Sequence, residues 1–187
     1  QQINASGIYY TPVSGIWQTV WLEAVSSESY LKQVKTTTDI DKNTVSIIPM
    51  TNVSLVKRYK VAVNIFFDEK KVASGITNPN TPLNLKIDNA KLWSPEHPHL
   101  YDIKMDLINP SGKIIDQVKS YFGMRKISLA DHKGVKYLFL NNAPLFHYGP
   151  LDQGWWPDGL LTPPSDKAMR YDIEMTKAMG FNMIRKH

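Results

Sequence analysis

The chain has 187 residues, is 42% hydrophobic and contains no cysteine. This length allows one or two domains with a real apolar core, and the lack of cysteine excludes disulfide frameworks, thiolate metal sites and cysteine nucleophiles. The net charge of +5 comes from 22 basic and 17 acidic residues scattered along the chain. Nucleic-acid binding proteins usually concentrate basic residues on one face, so we expect no nucleic-acid partner. No apolar run is long enough to span a bilayer, and we expect no membrane partner.

Residues 1–25 form the first segment. Residues 16–23 are rich in aromatic and β-branched side chains, which predicts a strand. Its only local partner would be residues 8–10. Trp17 and Trp21 lie an even number of positions apart, so both are expected on the core face of this strand. We interpret the segment as the tail of a preceding β domain.

Residues 26–127 show apolar and polar side chains in alternation, with turn residues between the runs. Six runs carry this pattern: residues 31–38, 45–50, 59–67, 83–87, 101–107 and 114–122. One apolar and one polar face per strand favours antiparallel sheets packed on a single core. About seven short strands in about a hundred residues predict an immunoglobulin-like antiparallel β-sandwich.

Residues 128–187 change to a strand–helix–strand pattern. Apolar runs at 137–140 and 145–148 flank Asn141–Asn142, which suit a hairpin turn because Asn tolerates positive φ. A loop at 149–164 precedes a helix at 165–179, which Ser165 caps and Gly180 ends. A second strand is predicted at 181–185, parallel to the first. Such a βαβ unit needs neighbours on both faces, so we expect the chain to be an internal piece of a larger protein.

Five short stretches, in chain order, carry a resemblance to a known enzyme family. They are residues 14–23 (SGIWQTVWLE), 92–101 (LWSPEHPHLY), 122–127 (FGMRKI), 139–145 (FLNNAPL) and 180–185 (GFNMIR). Together they resemble glycoside hydrolase family 2, the β-galactosidase, β-glucuronidase and β-mannosidase group, although Asn142 stands where that family usually has Gly. The resemblance covers nearly the whole chain.

The resemblance implies a mainly β chain in three parts. Residues 1–25 would end an N-terminal sugar-binding jelly roll, and residues 26–127 would be the immunoglobulin-like sandwich. Residues 128–187 would be the first βαβ unit of a (β/α)8 barrel. The sandwich would then act as a structural spacer between the sugar-binding and catalytic domains.

Catalysis in this family, as the resemblance implies it, uses two Glu residues in retaining geometry with their carboxyl groups about 5–5.5 Å apart. The acid/base Glu directly follows an Asn. None of the glutamates here follows Asn: they are Glu23, Glu28, Glu69, Glu96 and Glu174. We therefore assign no catalytic residue and expect this chain alone to be inactive.

Substrate contacts are expected where barrel strands end, because chemistry in such barrels lies at the carboxyl ends of the strands. The candidates are Asp152, Gln153, Trp155, Trp156, Arg185 and His187. Carboxylate and amide groups would bind sugar hydroxyls, and indole faces would stack on pyranose rings. Two alternatives stay open. Trp155 and Trp156 could instead plug a long loop, and Arg185 could form an ion pair that holds the barrel.

The leading interpretation is a non-catalytic fragment of a bacterial retaining β-glycosidase, whose partner would be a β-linked glycoside or oligosaccharide. No cofactor and no metal site are expected. Dimerisation or strand exchange through the barrel segment is expected, and a periplasmic or extracellular location is favoured. The alternative is a stand-alone carbohydrate-binding or adhesive β-sandwich. It would bury the apolar stripe of its helix on its own sandwich.

Overall fold

The structure is a computed structural model that describes residues 4, 6–16, 18–52 and 58–187. The chain divides into two compact units. The sandwich unit is Ala24–Phe146, and the strand–helix–strand unit combines Gln1–Glu23 with His147–His187. The domain boundaries at 25/26 and 127/128 stay predictions.

Seven strands of the sandwich unit form two antiparallel sheets, as the alternating pattern predicted. They are β1 (Leu31–Asp39), β2 (Thr44–Thr51), β3 (Lys60–Phe67), β4 (Lys70–Thr77), β5 (Leu83–Lys86), β6 (Tyr101–Ile108) and β7 (Ile114–Phe122). The smaller sheet has the order β1-β2-β5 and the larger has β4-β3-β6-β7. The chain is therefore mainly β and carries an immunoglobulin-like antiparallel sandwich.

Alternation along each strand builds the core between these sheets. In β6 the side chains of Tyr101, Ile103, Met105 and Leu107 are buried, while those between them are not. Burying such side chains is worth about 1.5–3 kcal/mol each, which is how a sandwich without disulfides is held together.

The turn between β3 and β4 uses Asp68 and Glu69, both with positive φ (48° and 65°). Two such residues define a two-residue hairpin turn whose twist matches the strands. β4 itself was missed by the sequence pattern, because it is an edge strand with little apolar alternation. Its lysines discourage pairing with another chain.

A three-stranded sheet completes the sandwich unit: β8 (Ile127–His132), β9 (Val135–Leu140) and β10 (Ala143–Pro144). Asn141 and Asn142 form the predicted hairpin turn, with φ of 50° and 67°. The predicted strand at 145–148 is wrong, because ladder pairing stops at Pro144.

Two of the stretches that carry the family resemblance contact each other in the sandwich unit. The guanidinium of Arg125 lies 4.8 Å from the ring centre of Trp93. Leu92 and Met124 form a parallel β-bridge. The side-chain amide of Asn141 donates to the Trp93 carbonyl at 2.8 Å, which joins the hairpin to the same contact.

The strand–helix–strand unit contains β11 (Leu151–Asp152), α1 (Asp166–Ala178) and β12 (Arg185–Lys186). The two strands pair in parallel, as predicted for a crossover through a helix. The predicted strand at 181–185 is wrong at 181–184, which lie in no strand, because the ladder with β11 begins only at Arg185. Ser165 caps α1 by accepting a hydrogen bond from the Ala168 amide at 3.1 Å. Gly180, at φ 87°, ends it as expected. Among the described residues, no helix has the length and apolarity needed to cross a membrane.

The predicted strand at residues 16–23 is wrong for the described positions, 16 and 18–23, which lie in no strand. A strand needs a ladder partner, but residues 6–9 close into a turn through a bridge between Ser6 and Tyr9. Trp21 is 68% exposed rather than in a core. Trp17 lies outside the described residues.

Candidate functional site

The carboxyl ends of β11 and β12 bring together an acidic and a basic side chain. Asp152 pairs with Lys186 in the parallel register, and their side chains form an ion pair with 2.7 Å between Oδ2 and Nζ. The other carboxylate oxygen of Asp152 accepts the Gly154 backbone N–H at 2.6 Å. Both oxygens of Asp152 are therefore held in a fixed direction.

The electrostatics of this pair keep Asp152 ionised. The hydrogen bond from Lys186 lowers the pKa of Asp152 below its usual value, and the Gly154 N–H acts in the same direction against partial burial. Gly154 adopts φ 69°, and a Cβ at this position would lie 3.0 Å from the Lys186 ammonium. Glycine thus permits both the turn and the close approach of the lysine.

The last residues of β12 also contact β11 through the backbone. The Arg185 N–H donates to the Pro150 carbonyl at 3.0 Å, and the His187 N–H donates to the Asp152 carbonyl at 2.8 Å. The side chains of Arg185 and His187 are exposed. The two segments therefore continue side by side, in parallel, past the Asp152–Lys186 ion pair.

Gln153 and Trp155 contact Tyr10, which belongs to the same unit. The Tyr10 hydroxyl donates to the Gln153 side-chain carbonyl. The Tyr10 and Trp155 rings stack with centres 4.7 Å apart and planes 22° apart. One face of the Trp155 indole is therefore already occupied, which supports the loop-plug interpretation for this tryptophan.

Trp156 and Trp155 line two different clefts. A two-way backbone pairing with Leu160 (2.8 and 3.0 Å) fixes the loop that carries it. We call the adjacent space, about 510 Å³, the strand-end cleft. Its lining includes Asp152, Trp156, Asp172, Ile184, Lys186 and His187. A second space of about 750 Å³, the Tyr10 cleft, contains Trp155.

The predicted site residues are thus divided. Asp152 and Gln153 line both clefts, Trp156 and His187 line the strand-end cleft, and Trp155 lines the Tyr10 cleft. Arg185 lines neither. Whether these residues bind substrate stays a prediction.

Three contributors were not predicted from the sequence: Tyr10, Asp172 and Lys186. Asp172 could have been singled out from the sequence, because it is a charged residue on the apolar face of α1 that includes Ala168 and Met175. Nothing in the sequence pointed to Lys186 or Tyr10. A lysine at a strand end cannot be told from an ordinary solvent-exposed lysine, and Tyr10 is 143 positions from its partner Gln153.

The arrangement suits the binding of polyhydroxylated molecules. A carboxylate accepts and an ammonium donates hydrogen bonds, so together they bind hydroxyl groups, which do both. An indole face beside them offers apolar contact. No group of three or more His, Asp or Glu side chains is placed to hold a metal ion within the described ranges.

The comparisons with known proteins agree with this architecture. The sequence profile described as "Glycosyl hydrolases family 2" matches residues 29–125, which is more than half of the chain. The chain belongs to glycosyl hydrolase family 2.

Relatives match across both units. A protein of Formosa agariphila named "Putative beta-glucuronidase" is 30% identical over 91% of this chain and 21% of its own length. A β-galactosidase of Thermoanaerobacter pseudethanolicus is 25% identical over 94% of this chain and 24% of its own length. The chain thus spans about a fifth to a quarter of these curated relatives.

A solved structure shares the fold. The β-glucuronidase of Ruminococcus gnavus in complex with D-glucaro-d-lactam superposes with a TM-score of 0.72 at 18% identity. The match covers 85% of this chain and 26% of the other. At this identity the likeness establishes the fold alone.

Proposed function

We propose that this chain supplies the immunoglobulin-like sandwich and the beginning of the catalytic barrel to a retaining β-glycosidase. The observation that carries the proposal is the parallel pair β11–β12, linked through α1, with Asp152 and Lys186 at the carboxyl ends of its strands. Barrel enzymes hold their chemistry at that edge. Family membership narrows the reaction to hydrolysis of glycosides.

The reacting carboxylates, in this proposal, lie outside these 187 residues. Retaining hydrolysis needs a nucleophile and an acid/base about 5–5.5 Å apart on rigid elements. In the strand–helix–strand unit the two glutamates are Glu23 and Glu174, and Glu174 is exposed on α1. Asp152 is fixed by Lys186 and Gly154, with a lowered pKa, so it is a binding group rather than a proton donor.

The roles of the remaining candidates follow from their surroundings. Asp152 and Gln153 would accept hydrogen bonds from sugar hydroxyls, and Trp156 would stack on the ring. Trp155 would hold the loop through Tyr10. His187 lines the strand-end cleft and would contact the sugar there. Arg185 lines neither cleft and would instead form the ion pair that holds the barrel. The sandwich would act as a spacer between sugar-binding and catalytic domains.

The exposure of α1 favours this proposal over a stand-alone binding module. A self-contained module would bury the apolar residues of its helix, but no residue of α1 is buried. Tyr171 and Ile173 are each 60% exposed. A large apolar surface of this kind is typical of a face that packs on further structure.

The test is hydrolysis of 4-nitrophenyl β-glycosides by the 187-residue chain and by the full-length polypeptide that contains it. We expect turnover by the full-length protein and none by the 187-residue chain. Asp152→Ala in the full-length protein should lower kcat/KM by about 10- to 100-fold, since a lost hydrogen bond to a charged group is worth about 1.5–3 kcal/mol. The matched change Asp158→Ala, an exposed acid in the same loop, should leave kcat/KM unchanged.

Turnover by the 187-residue chain at a rate abolished by Asp152→Ala would contradict the proposal. Absence of turnover by the full-length protein on every β-glycoside tried would contradict the assignment of the reaction.

A further inference from the structure

We propose that the Asp152–Lys186 pair makes this site select neutral β-glycosides over β-glucuronides. This inference rests on the proposed function and narrows its substrate class. Relatives of both kinds match this chain, so the comparisons alone leave the choice open.

Lys186 is not a free cation. Its ammonium lies 2.7 Å from Oδ2 of Asp152. Asp152 cannot readily turn away, because Oδ1 accepts the Gly154 N–H at 2.6 Å and the backbone carbonyl accepts the His187 N–H at 2.8 Å. The pair is therefore built into the ends of both strands.

The strand-end cleft carries more negative than positive groups. The charged side chains that line it are Asp152, Asp172 and Lys186, and His187 also lies there. Two carboxylates against one ammonium leave an excess of one negative charge among these three side chains. An anionic sugar would enter a cleft that already repels it.

A uronate carboxylate and a hydroxymethyl group would interact differently with this pair. A carboxylate that bonded Lys186 at about 2.8 Å would lie at most about 5.5 Å from Oδ2 of Asp152. Coulomb energy falls as the inverse of distance, so repulsion from Asp152 would offset at least about half of the attraction to Lys186. A hydroxyl both donates and accepts, so it can bond to Asp152 and Lys186 together.

The experiment compares matched substrates that differ only at C6 of the sugar. Full-length enzyme is assayed with 4-nitrophenyl β-D-glucoside and β-D-glucuronide, and with the β-D-galactoside and β-D-mannoside as further neutral sugars. We expect kcat/KM for the best neutral substrate to exceed that for the glucuronide by at least about tenfold, which corresponds to about 1.4 kcal/mol. A glucuronide preference in the wild-type enzyme would overturn the inference.

Variants separate electrostatics from structure. Asp152→Asn keeps the Oδ1 acceptor for Gly154 and releases Lys186, so it should raise the glucuronide-to-neutral ratio of kcat/KM severalfold. Asp152→Asn combined with Lys186→Met should remove this gain. Asp158→Asn is the matched control and should leave the ratio unchanged. An unchanged ratio in Asp152→Asn, or a gain that survives in the double variant, would overturn the inference.

Binding provides a readout that does not need turnover. Isothermal titration of the full-length protein with D-glucono-1,5-lactone and D-glucaro-1,5-lactone should show tighter binding of the neutral lactone. Equal or tighter binding of the glucarolactone, or binding of neither, would overturn the inference. Failure to hydrolyse any of the four glycosides would instead contradict the proposed function.

Discussion

The side-chain amide of Asn142 donates a 2.7 Å hydrogen bond to Oδ1 of Asp41, across 101 positions of sequence. The other oxygen of the same carboxylate lies 2.5 Å from the Lys126 ammonium. One aspartate in the β1–β2 turn therefore connects the residue before β8 to the turn between β9 and β10. A glycine at this position would lack the side chain that makes this contact.

This relationship predicts coupled stability effects. Asn142→Gly keeps the positive φ of 67° but removes the hydrogen bond, and Asp41→Asn removes the ion pair. Each should lower the midpoint of thermal unfolding, measured by differential scanning fluorimetry. The double variant should lose less than the sum, because both changes act on one carboxylate. Asp88→Asn is a control, since its ion pair with Lys86 is exposed. If the midpoint of the double variant falls by the sum of the two single decreases, the contacts of Asn142 and Lys126 with Asp41 are not coupled.

A second prediction concerns Tyr101 and alkaline pH. Its hydroxyl is buried and accepts the Lys91 N–H at 2.7 Å. Burial raises the pKa of Tyr101 above its usual value of 10.0. Above pH 10 the unfolded chain loses this proton first, so stability is complete below that pH and falls as the pH rises toward the folded-state pKa.

Tyr101→Phe should reduce the loss of stability at alkaline pH. It should also lower the free energy of unfolding at neutral pH by about 1–3 kcal/mol, because the Lys91 N–H loses its acceptor. Tyr121→Phe, at an exposed position, is the matched control. Urea unfolding at several pH values measures both effects. An alkaline slope that persists unchanged in Tyr101→Phe would contradict this account.

A third prediction tests the close approach of the two parallel segments at Gly149. A Cβ here would lie 1.7 Å from the Met183 carbonyl oxygen, which is backbone and has no rotamer to change. Gly149→Ala should therefore destabilise the strand–helix–strand unit by about 3 kcal/mol or more. A Cβ at Gly75 would lie 3.1–3.2 Å from Leu methyl groups, which can shift, so Gly75→Ala should lower the free energy of unfolding far less. Hydrogen exchange of the α1 amides would report the difference, and equal protection in both variants would refute the geometry.

A fourth prediction concerns self-association of the 187-residue chain. The exposed apolar residues of α1, with Tyr171 and Ile173 each 60% exposed, and the adjoining Met179, 67% exposed, favour contacts with other apolar surfaces. Light scattering should show a mass that rises with concentration. Ile173→Glu should reduce this rise, whereas the polar change Glu174→Gln should not. A monomer at all concentrations would contradict this expectation.

The sandwich could be predicted from sequence because burial on one face imposes a period of two on the side chains. Alternation in β6 is complete, whereas β4 at the sheet edge lacks it and was missed. The helix was also predictable, since Ser165 and Gly180 mark both of its ends. Residues 16–23 were misjudged because high β propensity does not supply the partner strand that a ladder requires.

The candidate site was only partly readable from the sequence. The carboxyl ends of barrel strands are a general location for chemistry, which was enough to single out Asp152. The register that places Lys186 against it depends on pairing between segments 34 positions apart. The strand expected at 145–148 was displaced, with parallel pairing at β11 instead. Periodicity cannot fix such a register in strands of two residues.

We propose that these residues bind substrate while the reacting carboxylates lie outside them. The most direct measurement is covalent trapping of the full-length enzyme with a 2-deoxy-2-fluoro β-glycoside of its preferred sugar, followed by peptide mass spectrometry. We predict a single labelled glutamate outside residues 1–187. A label on Asp152, Asp158, Glu174 or any other carboxylate within these residues would contradict the claim.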